Sequence, residues 1–85
     1  MSVITVYTTE SCSLCTAAKA LLGARGLEYN EINLGRDEAG RAALASRTGM
    51  MTFPQVLIGD TLVGGFRETQ QAAASGRLDE LLAVA

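Results

Sequence analysis

A short β-branched run, Val3 to Tyr7, gives way within a few residues to apolar positions at helical spacing: Leu14, Ala17, Ala18, Leu21 and Leu22. This switch from a buried-strand run to a 3.6-residue stripe narrows the available folds more than any other feature. Offsets of three, four, seven and eight residues put those side chains on one helical face. Gly26, just beyond Arg25, supplies a stop with a cation in the last turn. Leu27 to Leu34 reads as a second strand. Tyr29 and Ile32 are out of phase for strict alternation, which predicts an edge strand or a bulge. Two strands joined through a helix should run parallel with a right-handed crossover.

The remainder of the chain adds a second helix and a hairpin. Asp37 is placed to cap a helix that ends before Gly49 and is weakened by Gly40. Gln55 to Ile58 reads as a third strand. Gly59-Asp60 is a two-residue hairpin signal leading into Thr61-Leu62-Val63. Glu68 to Ala74 reads as helical, and after Gly76 the residues Leu78, Leu81 and Leu82 mark a short terminal amphipathic helix. The order is β-α-β-α-β-β-α, with the short terminal helix following it. It predicts an α/β fold in which a parallel βαβ half and an antiparallel hairpin share one four-stranded mixed sheet flanked by helices. With 85 residues there is room for a single domain over 1–85.

At 48% hydrophobic residues the chain can collapse into a packed core. Its net charge is −2, and Lys19, Arg25, Arg36, Arg41, Arg47, Arg67 and Arg77 are scattered, with no two adjacent. Nucleic-acid binding is therefore not expected. The first seven residues lack a basic flank, and no apolar stretch approaches the ~20 residues of a membrane span. No membrane association is expected, and the cytoplasm is the expected location.

The chain has two cysteines and no histidine. A disulfide-stapled miniprotein would carry more cysteines at wider spacing. A zinc site needs about four ligands, so no self-contained metal site is expected. Cys12 and Cys15 stand where the first strand passes into the first helix. At i and i+3 their sulfurs come within reach of a disulfide. The unpaired N–H groups of the helix start favour a thiolate on the first cysteine more than on the second. Only a thiolate attacks a disulfide efficiently. Cys12 is thus the candidate nucleophile and Cys15 the resolving thiol. Two buried small apolar residues are the bland alternative. The position directly after the first strand of a βαβ unit favours redox chemistry.

Two further segments have open readings. Pro54, the single proline, is either a strand-initiating edge device or part of a cis bond exposing the Phe53 N–H and C=O to an extended substrate. Gly64-Gly65, before Phe66-Arg67-Glu68, is either an ordinary turn or a backbone approached closely by an anionic group at a helix start.

Together these features resemble the glutaredoxins, of the thioredoxin-like fold, along nearly the whole chain. Tyr7-Thr8-Thr9-Glu10-Ser11-Cys12-Ser13-Leu14-Cys15 looks like that family's strand-to-active-site segment, and Ala18-Lys19-Ala20-Leu21-Leu22 like its first helix. Thr52-Phe53-Pro54-Gln55-Val56 is similar to its Thr-Val-Pro segment, whose proline is cis. Gly64-Gly65 matches its glutathione-binding glycine pair. The resemblance implies catalytic Cys12 and Cys15. It also implies a glutathione or substrate site drawn from Thr9, Leu14, Arg47, Thr52, Phe53, Pro54, Gly64, Gly65, Phe66 and Arg67.

The departures bear on mechanism. Ser13 and Leu14 replace the Pro and Tyr common in the family motif, and Thr9 stands where a basic residue is frequent. Arg67 and Glu68 stand where an acidic pair is usual. Gly65-Phe66-Arg67 looks instead like a segment of redoxins that take electrons from thioredoxin reductase and donate them to ribonucleotide reductase.

The leading expectation is a monomeric dithiol oxidoreductase with glutathione as cosubstrate, no obligatory bound cofactor, and protein disulfides or glutathionylated proteins as substrates. One alternative is the redoxin reduced by thioredoxin reductase. Another is a module holding a [2Fe–2S] cluster between two protomers through Cys12 and glutathione.

Overall fold

A computed structural model describes residues 3–83; the ends of the expected 1–85 domain, residues 1–2 and 84–85, lie outside the described residues. Strand β1 (Ile4–Thr8) leads into helix α1 (Ser13–Ala24), strand β2 (Asn30–Asn33) and helix α2 (Glu38–Thr48). Strands β3 (Gln55–Ile58) and β4 (Thr61–Gly64) follow, then helices α3 (Phe66–Ser75) and α4 (Arg77–Ala83). The sheet order is β2-β1-β3-β4. β1 pairs parallel with β2 and antiparallel with β3, and β3 pairs antiparallel with β4. The expected mixed sheet is therefore present.

Alternation along β1 buries Ile4, Val6 and Thr8 while Thr5 and Tyr7 stay partly accessible. Ile4 and Val6 join Val56 and Ile58 of β3, Leu22 of α1, Ala72 and Ala73 of α3 and Leu78 of α4 in one core. All four residues of β3 are buried, because the strand is central and covered on both faces. Gln55 and Leu57 face away from Val56 and Ile58. On that face Thr48 of α2 donates a 2.8 Å hydrogen bond to the Gln55 side chain.

Several expectations shift by a turn or less. Val3 lies outside β1, which continues instead to Thr8. β2 is shorter than Leu27 to Leu34 and is an exposed edge strand without a bulge; Leu27 and Tyr29, just before it, still pack on the core. The register irregularity falls at Val56/Leu57 in the hairpin instead. α3 starts at Phe66, two residues before Glu68, because Gly65 is its N-cap and Glu68 reaches back to accept the Gly65 N–H at 2.9 Å.

On α1 the buried face is Cys15, Ala18 and Leu22. Leu14, in the first turn of α1, falls outside that face and is 53% exposed. Arg25 does not serve the last turn of its own helix; its guanidinium donates to Ala73 C=O on α3 at 3.2 Å. Asp37 caps α2 as expected, accepting from the Gly40 N–H at 2.8 Å.

Candidate functional site

The site forms where β1 hands over to α1. Ser11 adopts φ 52°, the only left-handed non-glycine residue among those described, and this turns the chain into Cys12. Cys12 is the N-cap of α1: its backbone is extended, and its Sγ accepts the Cys15 N–H at 3.1 Å. The Cys12 carbonyl closes the first helical turn by accepting from the Thr16 N–H at 3.2 Å. Cys12 and Cys15 are disulfide-bonded, with their Cα atoms 5.2 Å apart. Cys15 is buried, whereas Cys12 is partly accessible. The sulfur that meets solvent is therefore the one that receives helix-start hydrogen bonding.

A second segment comes up beside it. The Phe53 carbonyl oxygen lies 3.9 Å from Cys12 Sγ, and the Phe53–Pro54 bond is cis. Pro54 is buried at the head of a central strand, so the edge-device reading is set aside. The loop is held from within by Gln55. Its buried amide donates to the carbonyls of Met50 and Thr52, each at 3.0 Å, and its oxygen accepts from Thr48. Every polar atom of that side chain is used, and its partners span the loop.

Two depressions flank the disulfide. A groove of about 490 Å³ is lined by Leu14, Thr52, Phe53, Pro54, Gly65, Phe66 and Arg67, together with Met50, Glu68 and Gln70. A cleft of about 460 Å³ on the other side contains Thr9, Cys12 and Cys15, with Glu10, Lys19, Glu31 and Asn33 among its walls. Seven of the ten expected binding residues thus share the groove, while Thr9 faces the cleft. Gly64 lies behind, buried, at φ 128°; a Cβ there would come within 2.7 Å of Glu68 Cβ. Its role is the close approach of α3 to β4. The Gly65 N–H is already taken by Glu68. Arg47 is exposed on the last turn of α2 and lines neither depression.

Sequence reasoning missed the polar network of the cleft. Glu31 accepts from Thr8 Oγ1 at 2.8 Å and pairs with Lys19 Nζ at 3.1 Å. The Thr8 hydrogen bond, and then Lys19, hold the Glu31 carboxyl below its usual value against the opposing effect of burial. Glu10 pairs with Arg36 at 3.3 Å. The Lys19–Glu31–Thr8 contacts depend on the α1 crossover bringing Lys19 to β2, a distance relation no local pattern encodes. Gln55 did carry a signal: a lone amide opening an otherwise apolar strand directly after Pro54.

This arrangement presents an accessible sulfur, a second sulfur in bonding reach behind it, and an open groove at its side. Among the described residues no three His, Cys, Asp or Glu side chains gather to hold a metal ion. No described helix is long and apolar enough to cross a membrane.

Comparison with known proteins agrees with this geometry. The glutaredoxin family model matches residues 4–63. Glutaredoxin of Pseudomonas aeruginosa is 39% identical over 82 residues, covering 96% of this chain and 98% of that protein. Glutaredoxin 3 of Escherichia coli K12 is 35% identical over 96% of this chain and 99% of its own length. Among solved structures, glutaredoxin from Brucella melitensis superposes with TM-score 0.84 at 40% identity, covering 96% of this chain and 89% of that one. A buckwheat glutaredoxin–glutathione complex gives TM-score 0.85 at 30% identity, covering 95% and 76%.

Proposed function

Since this chain belongs to the glutaredoxin family and is a thiol–disulfide oxidoreductase of thioredoxin-like fold, we propose that it works as a dithiol enzyme fed by glutathione in the cytoplasm. Its substrates are protein disulfides and glutathionylated proteins. The observation that carries this reading is the unequal pair: Cys12 accessible and hydrogen-bonded by the Cys15 N–H, Cys15 buried at disulfide distance.

In the reduced protein, the Cys15 N–H and the start of α1 stabilise a Cys12 thiolate. That thiolate attacks one sulfur of the substrate disulfide, and the other sulfur leaves as a thiolate. The resulting mixed disulfide is resolved by Cys15, which gives the intramolecular Cys12–Cys15 bond, or by a glutathione thiolate. Two electrons pass to the substrate in each cycle, and two molecules of glutathione restore the dithiol. The groove beside Cys12 supports a tripeptide ligand: Phe53, whose carbonyl approaches Cys12 Sγ, and the start of α3 both line it. A neighbour of the same fold is solved as a glutathione complex.

Arg67 and Thr9 distinguish this chain's site from the family pattern and predict weaker glutathione binding rather than its loss, since each exposed charge contact is worth about 0.2–1 kcal/mol. NADPH oxidation with a disulfide substrate tests the reading, coupled once through glutathione and glutathione reductase and once through thioredoxin reductase. Turnover should be carried by the glutathione couple. Rapid reduction by thioredoxin reductase with no response to glutathione would replace this reading with the redoxin that serves ribonucleotide reductase.

A further inference from the structure

The groove does not end at Phe53. Phe53 and Met50 also line a second depression of about 410 Å³, walled further by Ala42 and Ala45 of α2 and by Met51. Met51 is 85% exposed, well above the other exposed large apolar side chains. Its backbone is not loose: the Gln55 amide bonds the carbonyls of Met50 and Thr52 on either side of it. An apolar side chain is thus presented to water from a pinned loop, two residues before Phe53, whose carbonyl lies 3.9 Å from Cys12 Sγ. The polar walls of the depression are Glu38 and Arg41, one of each sign, so no net charge selects an ionic ligand. Methionine is unbranched and polarisable and adapts to apolar partners of different shape.

We propose that this second depression binds an apolar side chain of a protein substrate, carried about two to four residues from its reacting cysteine in an extended segment. The inference rests on the exchange reading above and adds to it a substrate class. The first groove is shared with any small disulfide, whereas the second is reached only by a polypeptide that runs on past Phe53. An extended segment repeats its side-chain direction every second residue. An apolar side chain near the cysteine can therefore enter the Met50–Met51 depression while the sulfur meets Cys12. The occupant is set by continuity with the exchange site and by the balanced charge of the walls.

The test is a single-turnover reaction of the pre-reduced protein, which needs no external reductant. The probes are two symmetric peptide disulfides, identical except for Leu or Ser at those flanking positions, and the small disulfide bis(2-hydroxyethyl) disulfide. The Cys12 thiolate attacks one peptide sulfur, and the first peptide leaves as a thiolate that is protonated from water. Cys15 then attacks the Cys12 sulfur, releasing the second peptide and leaving the Cys12–Cys15 disulfide. The leucine peptide should react roughly fivefold to tenfold faster at limiting concentration, from partial burial of one side chain. Met51→Ser and Ala42→Glu should each bring the two peptides within about twofold of one another. Both variants should react with the small disulfide at the wild-type rate. Equal rates for the two peptides with the wild type, or a leucine preference that survives both substitutions, would overturn the inference. Failure of the wild type with all three disulfides would overturn the exchange reading itself.

Discussion

The two sides of the Cys12–Cys15 disulfide are built on opposite plans. In the polar cleft each charged side chain already has a partner: Lys19 holds Glu31, Glu31 also takes the Thr8 hydroxyl, and Glu10 holds Arg36. Asn33 is used as well, accepting the Gly35 N–H at 2.8 Å. In the groove, Leu14, Phe53 and Phe66 present apolar surface that none of the described residues covers. The polar side therefore fixes the loop that carries Cys12, and the apolar side remains open for what Cys12 attacks. Charge near a reacting sulfur does not by itself mark a binding site; what matters is whether its hydrogen-bonding capacity is still free.

The disulfide between the two sides should give the largest effects. Cys12→Ser removes the accessible nucleophile and should abolish exchange, a loss of roughly three orders of magnitude or more. Cys15→Ser should keep the attack and accumulate mixed disulfides detectable by mass. Substantial exchange by Cys12→Ser with an inert Cys15→Ser would reverse the roles assigned to the two sulfurs.

Next in size is the framework of the polar side. Arg41 donates to the carbonyl of Gly35 at 3.0 Å and also to that of Leu34, pinning a turn against the active-site loop. A Cβ at residue 35 would lie 3.0 Å from Asn33 Oδ1 and 3.1 Å from the Glu10 backbone nitrogen. Gly35→Ala should therefore cost about 1–3 kcal/mol of stability by overpacking. It should also slow exchange with every disulfide alike, since it displaces the loop rather than the groove. Denaturant midpoints and single-turnover rates together check both halves of that statement.

Most of the architecture was legible locally, and the reasons are physical. The Val3 to Tyr7 run and the helical stripe after it are periodic signals, and Asp37, Gly59-Asp60 and Gly76 are punctuation whose mechanism is local. The C-x-x-C at the junction placed the site. Leu14 was the instructive misfit: it fits the apolar stripe by spacing, yet lies 53% exposed in the first turn of α1 and lines the groove. Spacing alone is compatible with both a core residue and a substrate contact, and only the packing of the first turn of α1 decides between them. The Lys19–Glu31–Thr8 network was not legible, because it joins three elements through a crossover. The share of the polar cleft in holding the loop was invisible for the same reason.

The groove side should answer to apolar loss. Leu14→Ser and Phe66→Ser should each raise the KM for a glutathionylated peptide about fivefold, roughly 1 kcal/mol of lost contact, with kcat much less affected. On the polar side Arg36→Gln, which opens an exposed ion pair, should leave both constants unchanged. Equal effects of the two kinds of substitution would erase the distinction between the sides.

Glu31 should give a small effect on stability and the sharpest test of what the polar side is for. Its carboxyl is held below the usual 4.5 first by the Thr8 hydroxyl and then by Lys19, with burial opposing. A carboxyl whose value is lowered on folding stabilises the folded state when ionised. That contribution is complete above pH 4.5 and is lost as the pH falls through the lower, folded-state value. The side chains of Lys19 and Glu31 are 30% and 35% exposed, so solvent screens the pair and the whole contribution stays below about 1 kcal/mol. Glu31→Gln should therefore unfold at slightly lower denaturant at pH 7, with an unchanged slope. The difference should close as the pH is taken well below 4.5. High salt should remove the Lys19 part and leave the Thr8 hydrogen bond. A gap that persists unchanged into acid would mean that shape, not charge, holds Glu31 in place. A rise in KM as large as that of Leu14→Ser would mean that substrate does enter the polar cleft, and the division between the two sides would fall.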